Sequence, residues 1–348
     1  WDDAFGALTG TVCRQLRDVA DAAGSHVRVP LQGSGTFAVE AALGTLVPDE
    51  GRVLVPCNGA YAERIVRILY RIGRGATVMG FDELEPVDPA RVEAALRDDP
   101  GLTHVALVHC ETGTGILNPL DEVAEVCARR GRRLVVDAMS SFGALPVDAR
   151  HPCVEAIVAA SGKCLEGVPG MGFVLVRRDA IRAAEGRAHS LALDLHERWC
   201  LRGRPGQGRS SPPTHVGAAL AAALIQFRQQ GGQPARRARY EAHRDVLVTG
   251  MRRLGFATLL DDAVQSPIIV TFRSPDTPEW DFPTFYRRIR ERGFVIYPGK
   301  LTRIDTFRIG CIGAISVRDV EALLRAVEDA LSEPAGAPGP TLEGQAAT

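Results

Sequence analysis

The chain reads as an α/β protein: a large domain with a mostly parallel, seven-stranded-type sheet between helices, followed by a smaller C-terminal α+β domain. Three observations predict this. Over the first 180 residues, short apolar runs alternate with helical patterns, as in a parallel sheet covered on both faces. From Pro212 the alternation gives way to two long helical patterns split by Gly231-Gly232. Beyond them, three short strand patterns are separated by helices, which reads as a small α+β unit.

The elements follow in order. Val27 to Leu31 is a short apolar strand, and a glycine turn leads into a helix from about Phe37 to Leu46. Arg52 to Pro56 is a strand, Tyr61 to Ile72 a helix and Thr77 to Gly80 a strand. Pro89 to Arg97 is a helix with proline at its start, where the missing N–H costs nothing. Thr103 to His109 is apolar and bounded, and Leu120 to Arg130 is a helix entered through Asn118-Pro119. Leu134 to Asp137, Val154 to Ala160 and Gly172 to Arg177 complete the strands. Thr214 to Gln229 is alanine-rich and suits a core; Pro234 to Leu254 begins with arginines, and its polar face reads as solvated. The small unit then has strands at Pro267 to Phe272, Val295 to Tyr297 and Thr306 to Ile309, and helices near Phe282 to Arg292 and Val317 to Leu331. The domain limits expected are 1–212, with an N-terminal helix expected to pack on the small domain, and 213–332 for a helical connection and that domain, with a disordered Pro/Gly/Ala-rich tail over 333–348.

Composition narrows the class. With 45% hydrophobic and 24% charged residues the chain is that of a soluble globular protein. A net charge of −1 argues against a general nucleic-acid binder. Val216 to Ile225 is the longest apolar run and is too short to span a bilayer. No signal-peptide pattern opens the chain, and its eight cysteines show no C-x-x-C pair or zinc spacing. Reduced cysteines in a cytoplasmic protein, with no metal, are the expectation. The first residue is Trp1, so an N-terminal piece is expected to lie outside this chain.

Chemistry concentrates at strand ends, where ligands bind in such sheets. Lys163 follows the strand Val154 to Ala160 in a loop broken by glycine and proline. Its ε-amine can form a Schiff base, and desolvation would lower its pKa from about 10.4. Alone that reading is weak, because most loop lysines are solvated surface residues. Asp137 ends another strand 26 residues upstream. A carboxylate there either caps a turn or keeps a pyridine nitrogen protonated, so that a pyridoxal ring stays an electron sink. Gly33-Ser34-Gly35-Thr36 joins a strand to a helix N-terminus, whose free N–H groups and added hydroxyls form a phosphate cradle. Tyr61 opens a helix and either stacks on the ring or packs in the core. Thr112, in Glu111-Thr112-Gly113, either reaches the cofactor or is a solvated turn residue. Arg308 is a cation in an apolar strand, so it needs an anion: a substrate acid group or an internal partner. Cradle, aspartate and lysine, each at a strand end and in that order, follow the layout of the aspartate-aminotransferase-type fold.

Several segments carry a resemblance. They are Leu31-Gln32-Gly33-Ser34-Gly35-Thr36, Asn58-Gly59-Ala60-Tyr61, Val108-His109-Cys110-Glu111-Thr112, Val136-Asp137-Ala138-Met139-Ser140-Ser141 and Lys163-Cys164-Leu165-Glu166-Gly167-Val168-Pro169-Gly170. Through them the chain resembles the class V aminotransferases, from Trp1 to about Leu331. Tyr297-Pro298-Gly299-Lys300 and Leu191-Ala192-Leu193-Asp194-Leu195 resemble more narrowly the 2-aminoethylphosphonate–pyruvate transaminases among them.

The resemblance implies the pyridoxal 5'-phosphate-dependent transferase fold (fold type I). The activity it implies moves an amino group from 2-aminoethylphosphonate to pyruvate, giving phosphonoacetaldehyde and alanine. Lys163 would be the Schiff-base lysine and Asp137 the partner of the ring nitrogen. Ser34, Gly35 and Thr36 would hold the phosphate, Tyr61 would stack on the ring, and Thr112 would lie near its phenolic oxygen. Thr214 would reach the phosphate in the neighbouring subunit of a homodimer, and Arg308 would bind the substrate's acid group. An alanine– or serine–glyoxylate transaminase, a lyase or desulfurase of the same class, and a truncated inactive protein are the rivals. The chain departs from the family at Gly162, where relatives usually carry an amide side chain, and in the proline-rich Ser210-Ser211-Pro212-Pro213. The family's N-terminal Thr-Pro-Gly-Pro motif also falls outside it.

Overall fold

A computed structural model describes residues 3–22, 24–202, 212–299 and 303–333. The sequence expectations for Ser210 and Ser211, for Lys300 and for the tail beyond Glu333 therefore lie outside the described residues. The first half runs α1 (Asp3–Val19), β1 (His26–Gln32), α2 (Gly35–Leu46), β2 (Arg52–Cys57), α3 (Ala60–Arg71), β3 (Gly75–Gly80), α4 (Pro89–Asp98) and β4 (Leu102–Val108). A small hairpin of β5 (Cys110–Glu111) and β6 (Ile116–Leu117) precedes α5 (Leu120–Arg129), β7 (Arg133–Asp137), β8 (Val154–Ala160) and β9 (Met171–Arg177). Then come α6 (Arg178–Ala183), α7 (Leu195–Arg202), α8 (Thr214–Gln229) and α9 (Gly232–Arg253). The chain closes with β10 (Ile269–Arg273), α10 (Phe282–Glu291), β11 (Tyr297–Pro298), β12 (Thr306–Gly310) and α11 (Val317–Ser332).

Seven strands form one sheet in the order β1-β9-β8-β7-β4-β2-β3. Neighbouring strands from β3 to β8 are parallel, while β9 is antiparallel to both β8 and β1. Within this sheet β9 alone reverses direction, and the reason is local. The β8–β9 connection holds no helix, and a short link without a crossover returns the chain antiparallel. The lysine loop is therefore a return loop on the same edge as the ends of β1, β4 and β7.

Each face of the sheet has its own core. Leu16 of α1, Leu96 of α4, Val123 of α5 and Leu220 of α8 pack with β-strand residues such as Phe173 on one face. Leu43 of α2, Ile65 of α3, Ile181 of α6 and Leu195 of α7 pack on the other. Central β8 is buried along its length save its last residue, as a strand covered on both faces must be. The crossover from β7 to β8 is irregular rather than helical. The sequence reading gives the N-terminal helix no boundaries; it is α1, and its apolar stripe is buried in the core of the large sheet beside α8.

The smaller sheet is antiparallel, in the order β10-β12-β11. Its core is aromatic: the Phe307 ring lies 5.3 Å from Phe256, 5.5 Å from Phe285 and 5.6 Å from Phe272. Side chains alternate along a strand. Burying Phe307 and Ile309 in that core turns Arg308 to the opposite side, toward the large sheet. The arginine-rich start of α9 is solvated at Arg237 but not at Arg236, which is only 2% exposed and paired.

Candidate active site

A cavity of about 440 Å³ opens between the large sheet's carboxyl edge and the small domain; Tyr61, Thr112, Ser140, Lys163, Tyr297 and Arg308 are among its lining residues. Residues from α3, the β5–β6 hairpin, the β7 and β8 loops and β12 thus converge across as many as 247 positions of sequence.

Lys163 is exposed to this cavity, not desolvated as sequence reading expects. Its side chain makes no hydrogen bond or ion pair among the described residues, so its amine is free to react. The loop below it is tightly held: Glu166 N–H donates to the Lys163 carbonyl at 2.8 Å, and Gly167 N–H to Ser161 at 2.9 Å. At Gly162 a Cβ would meet Pro169 backbone atoms at 3.1 and 3.2 Å, so a side chain at that position would require the Pro169 segment to shift by a few tenths of an ångström.

Asp137 is buried at the end of β7, where its Oδ1 accepts from Met139 N–H at 2.9 Å. Burial pushes its pKa up to about 6, against the smaller pull of the Met139 N–H and of Arg64. Such a carboxylate lacks a full counter-charge, which a ring N–H⁺ would supply. The sign of the pH effect follows. Between about pH 4 and pH 6 the folded protein holds this proton more tightly than the unfolded chain, so stability falls as pH rises through that window. Without cofactor, Asp137→Asn is expected to flatten the fall in melting temperature across that range. Parallel thermal melts of the two proteins check this; identical slopes would contradict it.

The cradle lies one loop away. Ser34 caps α2 in extended backbone geometry but makes no side-chain cap hydrogen bond, so the helix N–H groups and the hydroxyl are available to an anion. A Cβ on Gly35 would meet Met139 Sδ at 2.3 Å, so a larger residue there would displace the Met139 side chain of the Asp137 loop. Thr36 Oγ1 accepts from Arg64 Nη1 at 3.2 Å. These features fit pyridoxal phosphate: free donors where its phosphate would lie, a buried acid for its nitrogen, and an unpartnered amine for its aldehyde.

Two residues that sequence reading does not single out belong here. Arg64 lies three positions after Tyr61, one turn along α3, and its guanidinium sits 4.8 Å from the centre of the Tyr61 ring. The spacing was visible as an i, i+3 pair, but its bond to Thr36 spans 28 positions. Glu111 is fully buried and caps α3 from another element, accepting from Tyr61 N–H at 3.1 Å and Ala62 N–H at 2.7 Å. Burial pushes its carboxyl up to about 7. The N-cap position itself is Gly59, which has no side chain to do this.

Arg308 is half-buried. It donates to the Thr112 carbonyl at 2.8 Å and the Pro298 carbonyl at 3.0 Å, and its guanidinium lies 5.9 Å from the Tyr297 ring centre. Among the described residues no carboxylate pairs with it, which leaves an anion-ready cation facing the cavity. Thr214 is exposed at the start of α8 and does not line the cavity in this single chain. Cys164, beside the lysine, is fully buried, and burial pushes its thiol well above the ordinary range. No group of three His, Cys, Asp or Glu side chains among the described residues could hold a metal ion.

Comparison with known proteins agrees with this geometry. The family model for class-V aminotransferases matches residues 16–287. A 2-aminoethylphosphonate–pyruvate transaminase of Burkholderia ambifaria is 57% identical over 331 residues, covering 95% of this chain and 89% of that protein. A protein of the same name from Pseudomonas putida KT2440 is 53% identical over 333 residues, covering 96% and 90%. Among solved structures, an alanine–glyoxylate aminotransferase from Nostoc sp. superposes with a TM-score of 0.88 at 25% identity, covering 95% of this chain and 88% of that one.

Proposed function

Since the chain belongs to the class-V aminotransferase family, we propose that it transfers the amino group of 2-aminoethylphosphonate to pyruvate, forming phosphonoacetaldehyde and alanine with pyridoxal 5'-phosphate as cofactor. The observation that carries the reading is the meeting of Lys163, free and exposed, with the unpaired Arg308 in one cavity. Identity above 50% along almost the whole chain to transaminases of that name favours this amino donor.

The bound cofactor supplies an electron sink for the carbon that loses its proton. The protein's residues do the rest. Lys163 would hold the cofactor through its amine, and the same amine, once freed, would hold and move the proton at the substrate carbon. Asp137 holds the ring nitrogen's proton; that positive charge would in turn draw its raised pKa back down. Ser34, Gly35 and Thr36 bind the phosphate, with Arg64 bracing Thr36 and backing the Tyr61 ring. Thr112, which lines the cavity, would contribute its hydroxyl to holding the cofactor ring. Arg308 grips the phosphonate in one half-reaction and the carboxylate in the other, using a fork suited to both. Thr214, exposed and not among the residues lining this cavity, would serve the site of a second copy, and we take the working unit as a cytoplasmic homodimer. Among the described residues no helix is long and apolar enough to cross a membrane.

A panel of amino donors with pyruvate as acceptor, read as alanine formed, tests the reading. 2-Aminoethylphosphonate should give the highest kcat/KM. A clear preference for serine, or for glyoxylate in place of pyruvate, would move the chain to another class-V activity.

A further inference from the structure

We propose that Glu166 is a positioning residue that locks the Lys163 turn to α9, and through α9 to the small domain. The inference rests on the reading of Lys163 as the cofactor-binding lysine.

The first observation is backbone geometry. Glu166 has φ of 58°, one of two non-glycine residues with positive φ among the described residues. Glutamate gains little there, since its side chain is too long for the local hydrogen bonds that make asparagine tolerable. A strained residue persists where its surroundings over-determine it.

Its side chain shows what those surroundings are. Glu166 Oε1 accepts from Tyr240 Oη at 2.6 Å and also from Arg239. Its Oε2 lies 3.3 Å from Arg236 Nη1, which donates in turn to the Cys164 carbonyl at 2.6 Å. Tyr240 is fully buried. The turn Lys163-Cys164-Leu165-Glu166 is thus held in its middle and at its end by three side chains of one helix face. That face continues along α9. His243 and Leu247 line the cavity, and Leu247, Val248 and Met251 enter the small-domain core.

Lys163 itself has nothing to hold its side chain, so its position depends on this turn. A displacement of the small domain would move α9, and α9 would carry the turn with it. This gives Glu166 a role beyond fold stability, and it separates two explanations of its backbone. If the position only fills a left-handed turn, glycine should serve as well or better. If the clamp matters, glycine should relieve the strain and still fail.

The test adds pyridoxal 5'-phosphate to cofactor-free wild type, Glu166→Gly, Glu166→Gln and Tyr240→Phe. It follows the rate at which the near-visible band of lysine-bound cofactor appears, and the pH midpoint of that band, with melting temperatures recorded alongside. Glu166→Gly and Glu166→Gln are expected to form the band roughly tenfold more slowly and to shift its midpoint, whatever their melting temperatures. Tyr240→Phe, which removes one hydrogen bond, should shift both in the same direction by less; it decides the matter if the Glu166 variants do not fold. Glu166→Gly matching wild type in rate and midpoint, or an unmoved Tyr240→Phe where the others fail to fold, overturns the proposal while the cofactor reading stands. Wild type that develops no band overturns both.

Discussion

Replacing Lys163 with alanine is expected to lower transamination by about four orders of magnitude while leaving the melting temperature within a few degrees of wild type. The two halves of this result have separate causes. The Lys163 side chain makes no hydrogen bond or ion pair among the described residues and is exposed. Exposed substitutions away from caps and networks usually change stability by about 0.5 kcal/mol or less, so the fold should survive. The chemistry should not, because covalent attachment and proton transfer rest on the same amine. Lys163→Arg should not rescue it: a guanidinium keeps the charge but is neither a base near neutral pH nor able to condense with an aldehyde. Steady-state rates and thermal melts of the variants decide the point. Substantial activity in Lys163→Ala would remove the residue from its assigned role.

Replacing Arg308 with glutamine is expected to cost roughly 2–4 kcal/mol of substrate binding, about 30- to 1000-fold in kcat/KM. Its two hydrogen bonds to the Thr112 and Pro298 carbonyls aim the guanidinium but leave it without a counter-ion. Burial correspondingly pulls its pKa down from the ordinary arginine value. An incoming acid group restores what burial removes. Because the same fork meets phosphonate and carboxylate, KM should rise for both the amino donor and pyruvate. Losing one and keeping the other would mean a second, separate acid-binding group. Arg308→Lys should recover only part, since an ammonium cannot hold the two carbonyls and a bidentate acid together.

Much of this was legible in the sequence, and what was missed shares a cause. The strand-end positions of Asp137, Lys163 and the Ser34 cradle follow from short apolar runs and glycine turns, which are local signals. The composition also holds a sharper signal. Only two lysines occur in the chain, Lys163 and Lys300, against 41 lysines and arginines together. Where arginine supplies nearly every cation, a lysine points to chemistry that arginine cannot do. The reversal of β9 depends on the absence of a crossover helix, and its strand pattern alone does not reveal direction. Glu111 caps α3 from 50 positions away, and Glu166 meets Tyr240 across 74; periodicity has no access to either. Arg236 read as a solvated charge because helical pattern shows which face is polar, not whether a carboxylate from another element awaits it. Lys163 proved exposed because the cavity around it is open in the single chain.

The central claim is that Lys163 carries the cofactor. The protein should be incubated with pyridoxal 5'-phosphate, reduced with borohydride to fix any imine as a stable amine, digested and weighed by mass spectrometry. With two lysines in the chain the outcome is unambiguous. The account predicts the reduced cofactor on the peptide containing Lys163, at close to one per chain. Label confined to Lys300, or no label on a folded protein, would contradict it.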